Sequence, residues 1–462
     1  MWNRQVFKLG AAAAAALLLC GAAPAPKAPA PQTAPQTPVP KTIIYTHVNV
    51  IDGTGAPLKP DMIIITRDDA ILDVVSAGGT KRITAVKGAV FIDMHGAYAL
   101  PGLINTHLHM ATVPDRPFAE ASLRRALYSG ITAIRDMAGD GRALADLARG
   151  ARFGEFPAPD IYYVALMAGP EFFKDPRTVA SARGLVPGDA PWMRAVTPQT
   201  NLPLAIAEAR GTSATAIKIY ADLPANLVAA ITQEAHKQKL LVWAHAAVFP
   251  AAPLDVVKAG VDVVSHVCML GYQASEKMPP AYHHRNPVDA ARLAGDNPAM
   301  NALYAEMKKR GTVLDATVYV YEVISRLKNA NPPPYCTLRT ALKLTRDAHK
   351  AGVEISTGTD DDAAWNKPST ALTDEMTYLV KAGFTPLEAI RAATLIGART
   401  VGQAKSMGSI EKGKLANLVF LTKNPLADIA NMNSVTLTVK RGVQFWRKDF
   451  RAITKAEAKN EI

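Results

Sequence analysis

The feature that most constrains the fold is a regular alternation of short apolar strands with helical segments. The first strand ends at His107, and seven further apolar runs follow it at residues 130–135, 160–166, 216–220, 240–245, 261–267, 311–317 and 353–358. Eight strands that are mostly separated by helical segments are typical of a (β/α)8 barrel. We therefore predict an α/β protein in which residues 96–400 form a TIM-like barrel.

The chain on either side of this alternation has the pattern of a β module. Residues 42–95 contain short β-rich runs separated by turns, and residues 401–450 return to strand signals. The simplest arrangement is a small β sandwich that is built from both ends of the chain, with the barrel inserted between its two halves.

The first 41 residues have the composition of a targeting segment followed by a linker. A basic start precedes an apolar run that is too short to span a membrane comfortably, and small residues follow Cys20. We expect residues 1–23 to be a cleaved signal peptide and residues 24–41 to be an extended Pro/Ala-rich linker, which makes the protein periplasmic or secreted. An uncleaved N-terminal anchor is the alternative. Lipidation of Cys20 would attach the protein to a membrane, but Leu19 stands where a small residue is required.

Composition and charge limit the partners. The chain is 49% hydrophobic and 20% charged, as expected for a globular protein with a large core, and its formal charge is +12. The basic residues are scattered and are not interleaved with aromatic residues, so we expect no nucleic-acid partner. We expect a small-molecule substrate and a homo-oligomer. Cys268 and Cys336 could form one disulfide, although nothing in the sequence requires it.

Several potential metal ligands fall at the carboxyl ends of the predicted strands, where barrels of this type carry their active sites. His107 and His109 end the first strand, and side chains two residues apart on a strand point the same way, so both imidazoles can bind one metal ion. Each of these residues alone would be an ordinary strand-end side chain, but together they favour a metal site. The candidate ligands are His107, His109, Lys218, His245, His266 and Asp360.

Lys218 lies inside an apolar strand, where an unpaired ammonium group is costly. One interpretation is a structural cation that pairs with Asp222 or Asp360. The other is carbamylation by carbon dioxide, which converts the cation into an anion with two oxygens that can bridge two metals. An unmodified ammonium group has no lone pair and cannot be a ligand. We favour the carbamylated, or carboxylated, lysine.

Motifs along the chain resemble those of the metal-dependent amidohydrolase superfamily. Within it the chain is most similar to the imidazolonepropionase-like and prolidase-like (Xaa-Pro dipeptidase-like) group. The match covers residues 42–445, and Asn105 and Asn417 are two departures at positions where the family usually has Asp. The motifs lie at residues 50–55, 101–109, 357–360, 388–394 and 408–418.

The resemblance implies hydrolysis of amide bonds, as in dipeptides and N-acyl amino acids, at a site with two divalent metal ions, zinc being our first choice. One metal would be held by His107, His109 and Asp360, and the other by His245 and His266. Carboxylated Lys218 and a hydroxide would bridge the metals. Asp360 would be the catalytic residue that takes the proton of the hydroxide and passes it to the leaving amine.

Weaker predictions concern the substrate pocket. Arg135 and Tyr220 lie near strand ends and could bind a substrate carboxylate or the developing oxyanion, although Arg135 could equally pair with an acid at the barrel mouth. Two long segments, residues 168–198 and 269–299, are expected to shape the pocket, and the second contains Tyr272. Two other functions stay open: a deaminase or lactonase with one metal and unmodified Lys218, and a non-catalytic binding protein with the same fold.

Overall fold

The predicted alternation of strands and helices is present in the computed structural model, which describes residues 41–78, 88–326, 334–360 and 367–458. The predicted signal peptide and the linker up to Pro40 lie outside the described residues. Eight parallel strands form the central sheet, and each lies inside or within two residues of the run predicted for it. They are β1 (Leu103–Leu108), β2 (Ile131–Asp136), β3 (Asp160–Ala168), β4 (Ala216–Ile219), β5 (Leu241–His245), β6 (Val263–Ser265), β7 (Val313–Asp315) and β8 (Ile355–Ser356).

These strands pair in chain order, each parallel to the next. The backbone N–H of Thr106 in β1 donates to the carbonyl of Thr357, just beyond β8, at 2.9 Å, and the N–H of Asp360 donates to the carbonyl of His107 at 3.0 Å. The two bonds close the sheet into a barrel. Because helices cover its outer face, the strands are almost continuously buried, as parallel strands usually are. The predicted TIM-like barrel is confirmed.

Helices connect the strands and form the outer layer. Most begin with a residue that satisfies the free backbone N–H groups of the first turn, as the Asp115 carboxylate does for Phe118 N. The longer helices are Arg116–Tyr128, Gly141–Phe153, Pro176–Ala182, Leu202–Gly211, Ala225–Lys237, Pro253–Lys258, Pro298–Arg310, Val318–Ser325, Leu338–Lys350, Ala371–Lys381 and Pro386–Arg391. Among the described residues, none of the helices combines the length and the hydropathy that a membrane span requires.

A separate eight-stranded sheet combines both ends of the described chain, as predicted. Residues 43–46 of its first strand run parallel to the fourth strand, and residues 49–50 run parallel to the fifth. Side chains from both chain ends share one core, in which Tyr45 contacts Phe420. The strands are Thr42–Val50, Lys59–Arg67, Ala70–Ser76, Val90–Asp93, Tyr98–Pro101, Leu418–Leu421, Val435–Lys440 and Val443–Trp446.

The chain passes from this sheet into the barrel at Gly102. A Cβ atom at this position would lie 2.1 Å from Thr132 Oγ1, so only glycine fits between Tyr98–Pro101 and β1. Directly after Gly102, β1 pairs in parallel with β2.

The two long segments after β3 and β6 are ordered. The first contains the helices Pro170–Lys174 and Pro176–Ala182, and the second contains the short helix Tyr282–His284. A disulfide joins Cys268, just after β6, to Cys336, with a Cα–Cα distance of 6.1 Å. The pairing that the sequence left open is therefore present, and it connects the start of the second segment to the chain before the helix Leu338–Lys350.

Candidate active site

His107, His109 and Asp360 meet at the barrel mouth. Asp360 Oδ1 lies 3.4 Å from His107 Nε2 and 3.3 Å from His109 Nε2. One ligand atom from each of the three residues lies within 4.8 Å of the others, so the three could hold one metal ion. Two imidazole nitrogens and a carboxylate oxygen are a ligand set that zinc and its neighbours accept.

His266 and His245 extend this cluster across the barrel. The His266 ring centroid lies 4.7 Å from that of His107 and 4.9 Å from that of His245, and its Nδ1 lies 3.8 Å from Asp360 Oδ2. His266 and Asp360 both have positive φ values, 72° and 56°, in the left-handed region that non-glycine residues rarely adopt. Backbone strain of this kind accumulates at functional sites.

The electrostatics of the cluster suit metal ligation. Burial, with the charge of Lys218 as a smaller cause, holds the pKa of His245 well below its ordinary value. Burial also lowers the pKa of His266. Both imidazoles are therefore neutral, which is the form that binds metal. Burial opposes ionisation of Asp360, but His107 and His109 outweigh it and lower the pKa of this carboxyl group, which is ionised.

Lys218 in β4 lies close enough to the same cluster for its charge to lower the pKa values of His107, His245 and His266. Its side chain is fully buried, and within the described part of the chain its Nζ has no hydrogen-bond partner. Burial, together with the nearby positive charge of Arg135, lowers its pKa to about 7. His245 Nδ1 is also buried and unpartnered among these residues. Buried polar atoms are rarely left unsatisfied, so two such atoms at one cluster indicate that a bound group is needed to complete it.

The sequence analysis missed Asp315, the last residue of β7. Its Oδ2 lies 2.7 Å from His107 Nδ1 and accepts hydrogen bonds from Arg135 Nη2 at 2.8 Å and from Ser265 Oγ at 2.9 Å. Asp315 therefore fixes the ring of His107 so that Nε2 faces the cluster, a role that carboxylates often have behind histidine ligands. A carboxylate at the end of a predicted barrel strand was the signal that could have identified it.

Asp315→Ala is expected to destabilise the metal-depleted protein by about 3–5 kcal/mol, because it leaves the buried Arg135 charge without a partner. The free energy of unfolding in urea measures the effect. Asp189→Ala is the matched control: its carboxylate pairs with Arg194 at the surface and is 73% exposed, so the change should cost less than about 1 kcal/mol. Equal losses in the two variants would contradict a structural role for Asp315.

The three predicted substrate-binding residues lie in three different environments. Arg135 is fully buried, donates from Nε to the Thr106 carbonyl at 2.5 Å, and pairs with Asp315, the alternative that the sequence left open. Tyr220 lies at the mouth, with its ring centroid 3.9 Å from that of His245. Tyr272 is buried in the second long segment, where its hydroxyl donates to the Asn286 carbonyl at 2.6 Å.

The two asparagines that depart from the family pattern both form hydrogen bonds in the structure. Asn105 donates from Nδ2 to Thr359 Oγ1 at 2.9 Å, and this bond connects β1 to the chain after β8. Asn105 also accepts a hydrogen bond from the backbone N–H of His107. Asn417 accepts from the backbone N–H of Arg441 at 2.7 Å in the terminal sheet. Neither residue is one of the candidate ligands.

A cavity of about 350 Å³ opens above the cluster. One part of its wall comes from the long segments after β3 and β6, as predicted, and another part comes from the helix Val318–Ser325. The cavity is large enough for a small organic molecule. Its lining residues other than the candidate ligands are Thr112, Arg177, Tyr220, Met269, Tyr282, Arg285, Val320, Ile324 and Tyr335.

The chain is similar in sequence or in fold to several known proteins. Ochratoxinase of Aspergillus niger is 25% identical over 440 residues, which is 84% of this chain and 82% of the relative. Imidazolonepropionase of Flavobacterium johnsoniae is 35% identical over 88 residues, 19% of this chain and 21% of the relative. A crystal structure of a Xaa-Pro dipeptidase with bound methionine has a TM-score of 0.70 at 21% identity, covering 88% of this chain and 100% of that chain.

The family assignment rests on a match to a sequence profile and agrees with the motifs and the barrel. The sequence profile of the amidohydrolase family matches residues 98–444, from the last strand before the barrel to the last strand of the terminal sheet. The resemblance inferred from the motifs is confirmed. The chain belongs to the amidohydrolase family and is a hydrolytic enzyme that acts on carbon–nitrogen bonds.

Proposed function

We propose that this protein hydrolyses amide bonds of the peptide or N-acyl amino acid type with two divalent metal ions bridged by carboxylated Lys218. The observation that carries the proposal is the buried, unpartnered Nζ of Lys218, whose charge acts on His107, His245 and His266 and which interacts with Asp360. An amine without a partner in this position is costly, and an ammonium group cannot ligate a metal. A carbamate on the same nitrogen would instead offer two oxygens as metal ligands.

The residues divide into two sets around Lys218. His107, His109 and Asp360 would hold one metal, and His245 and His266 the other. Bound divalent metals supply a hydroxide nucleophile at neutral pH and polarise a substrate carbonyl. Asp360 is ionised, and its oxygens lie within 4 Å of three histidines, so it is placed to accept a proton and to return it to the leaving amine.

The purified protein is expected to contain close to two divalent metals per chain, with zinc as the first candidate. The reason is that the ligand candidates lie at the ends of five strands and form two sets. Elemental analysis after expression with added zinc measures the content. One metal or fewer would contradict the two-metal site and would favour the alternative, a deaminase or lactonase with unmodified Lys218.

A substrate screen tests the reaction itself. Dipeptides and N-acyl amino acids should be hydrolysed by the same sample whose metal content has been measured, and chelation should remove the activity. Hydrolysis of lactones or deamination of cyclic amines without cleavage of any amide would overturn the proposed reaction. A fully metal-loaded protein with no hydrolytic activity would point to the second alternative, a binding protein with the same fold.

We further propose that the protein is exported by its N-terminal signal peptide, acts in the periplasm or outside the cell, and forms a homo-oligomer without nucleic-acid partners. The disulfide between Cys268 and Cys336 supports export, because disulfides persist mainly in oxidising compartments. Cell fractionation and N-terminal sequencing of the mature protein test this proposal. A mature chain that begins at a lipidated Cys20 would instead mean membrane attachment.

A further inference from the structure

Three arginines lie at or below the active-site cavity, and two of them are neutralised by nearby carboxylates. Arg135 pairs with Asp315, as described above. Arg177 is held by Asp175, with Nη2 2.7 Å from Oδ2 and Nε 3.0 Å from Oδ1. The third, Arg285, lines the cavity and forms no ion pair with a carboxylate in the described ranges. Its positive charge is therefore left uncompensated by these residues.

Arg285 is held in a fixed position in spite of this. Its Nη1 donates to the Tyr282 carbonyl at 2.7 Å, and its guanidinium carbon lies 4.1 Å from the centre of the Tyr282 ring and 4.8 Å from that of Tyr335. Cation–π contacts of this kind orient the plane of the guanidinium group. Its Nε is buried and has no hydrogen-bond partner among the described residues. An oriented guanidinium group with a free donor is suited to a planar anion.

Tyr335 is itself positioned by several contacts. Its hydroxyl lies 2.7 Å from the hydroxyl of Tyr321, its carbonyl accepts from the Val288 N–H at 2.8 Å, and the next residue is Cys336 of the disulfide. These contacts connect the ring beside Arg285 to three separate segments. Arg285 therefore lies against a part of the cavity wall that these contacts hold in place, and not in a free surface loop.

The site lies close to the histidine cluster. The Tyr282 ring that contacts Arg285 also stacks on His245, with ring centroids 5.6 Å apart. One aromatic ring thus contacts both the positive charge and a candidate metal ligand. In an N-acyl amino acid, the carboxylate is separated from the amide nitrogen by a single carbon, so both groups of one substrate can be held in this space.

We propose, on the basis of the proposed function, that Arg285 is a specificity-determining residue that binds the carboxylate of the amino-acid half of the substrate. The same cavity has an apolar, partly exposed wall formed by Val320 and Ile324, with Met269 beside them. An uncharged wall next to a carboxylate site favours leaving groups that are apolar amino acids with a free carboxyl group. The substrate class is therefore N-acyl or N-aminoacyl derivatives of apolar α-amino acids.

The test compares N-acetyl-leucine with its carboxamide, N-acetyl-leucinamide, which lacks only the charge. The wild-type enzyme should prefer the acid. Arg285→Met should lower kcat/KM for the acid about 10–100-fold, mainly through KM, because a hydrogen bond to a charged group is lost. Its kcat/KM for the carboxamide should stay within about threefold. Arg285→Lys should keep part of the preference, since the charge remains without the planar donor pair.

Arg292→Met is the matched control. Arg292 lies in the same segment and pairs with Glu276, with its side chain 46% exposed, so the change should leave both substrates unaffected. Equal cleavage of acid and carboxamide by the wild type would overturn the proposal while leaving the proposed function intact. An unchanged KM for the acid in Arg285→Met would also overturn it.

A binding experiment separates this proposal from the reaction. Metal-loaded wild-type protein is titrated in a calorimeter with leucine and with leucinamide, and so are Arg285→Met and Arg285→Gln. The carboxylate site is supported if the wild type binds leucine more strongly than leucinamide and both variants lose this difference at unchanged metal content and thermal stability. This result would support the site even if no amide is cleaved. Equal binding of the two ligands by the wild type contradicts it. Failure of the proposed function alone would appear as absent hydrolysis with this binding difference retained.

Discussion

Lys218→Ala is expected to abolish metal loading and hydrolysis, and short carboxylic acids such as acetate or propionate should partly restore both. The Nζ of Lys218 is fully buried and has no hydrogen-bond partner among the described residues, and its charge acts on three candidate ligands, His107, His245 and His266. Removing the side chain removes the proposed bridging oxygens and leaves a space that a small carboxylate can enter. Metal content and initial rates, with and without added acid, measure the effect.

Replacement of an exposed lysine is the control for Lys218→Ala. Lys237, at the end of the helix Ala225–Lys237, has a side chain that is 73% exposed, and its replacement by alanine should leave metal content and rate unchanged. If Lys218→Ala retains its full metal content and rate, the residue is a structural cation only. The proposed carboxylation would then be wrong.

Asp360→Asn is expected to lose at least about 10²–10⁴-fold in turnover while it retains at least one metal. The amide oxygen can still ligate a metal, but the amide cannot accept a proton, and general acid–base groups typically contribute rate factors of this size. The Oδ1 of Asp360 lies between His107 Nε2 and His109 Nε2, so the isosteric amide keeps its place in the cluster. Rates with a hydrolysed amide and metal content are measured on the same sample.

His107→Asn serves as the comparison for Asp360→Asn. It removes a buried ligand candidate, so it should lose metal as well as rate, whereas Asp360→Asn should mainly lose rate. The two variants together separate ligation from proton transfer. An Asp360→Asn enzyme that works within about threefold of the wild type would rule out the proton-transfer role, and another group would have to protonate the leaving amine.

Much of the architecture was predictable from periodicity, because buried parallel strands are short apolar runs and barrel strands carry functional residues at their carboxyl ends. The strand-end histidines and Asp360 were therefore identified from their positions alone, and they do meet in one cluster. The barrel could also be predicted from local sequence signals alone, because consecutive strands pair in chain order.

Contacts across the barrel were not predictable in the same way. The partner of His107 is Asp315, 208 residues later, and no local pattern relates the two positions. Arg135 was assigned to the mouth because it is near the end of β2, but which face of the strand it occupies depends on the register, and in the structure it pairs with Asp315. Arg285 lies in the second long segment, and its place beside Tyr335 depends on how that segment folds back.

The carboxylate of Asp315 would couple metal binding at the proposed site to closure of the barrel. Its oxygens accept hydrogen bonds from Thr106 in β1, Arg135 in β2 and Ser265 in β6, and the same group orients His107. A ligand bound to the native state alone stabilises it by mass action, by about 2.7 kcal/mol when its free concentration is a hundred times Kd. If the proposed metal site is occupied, the supply of free metal would therefore govern how much of this protein stays folded as well as how much of it is active.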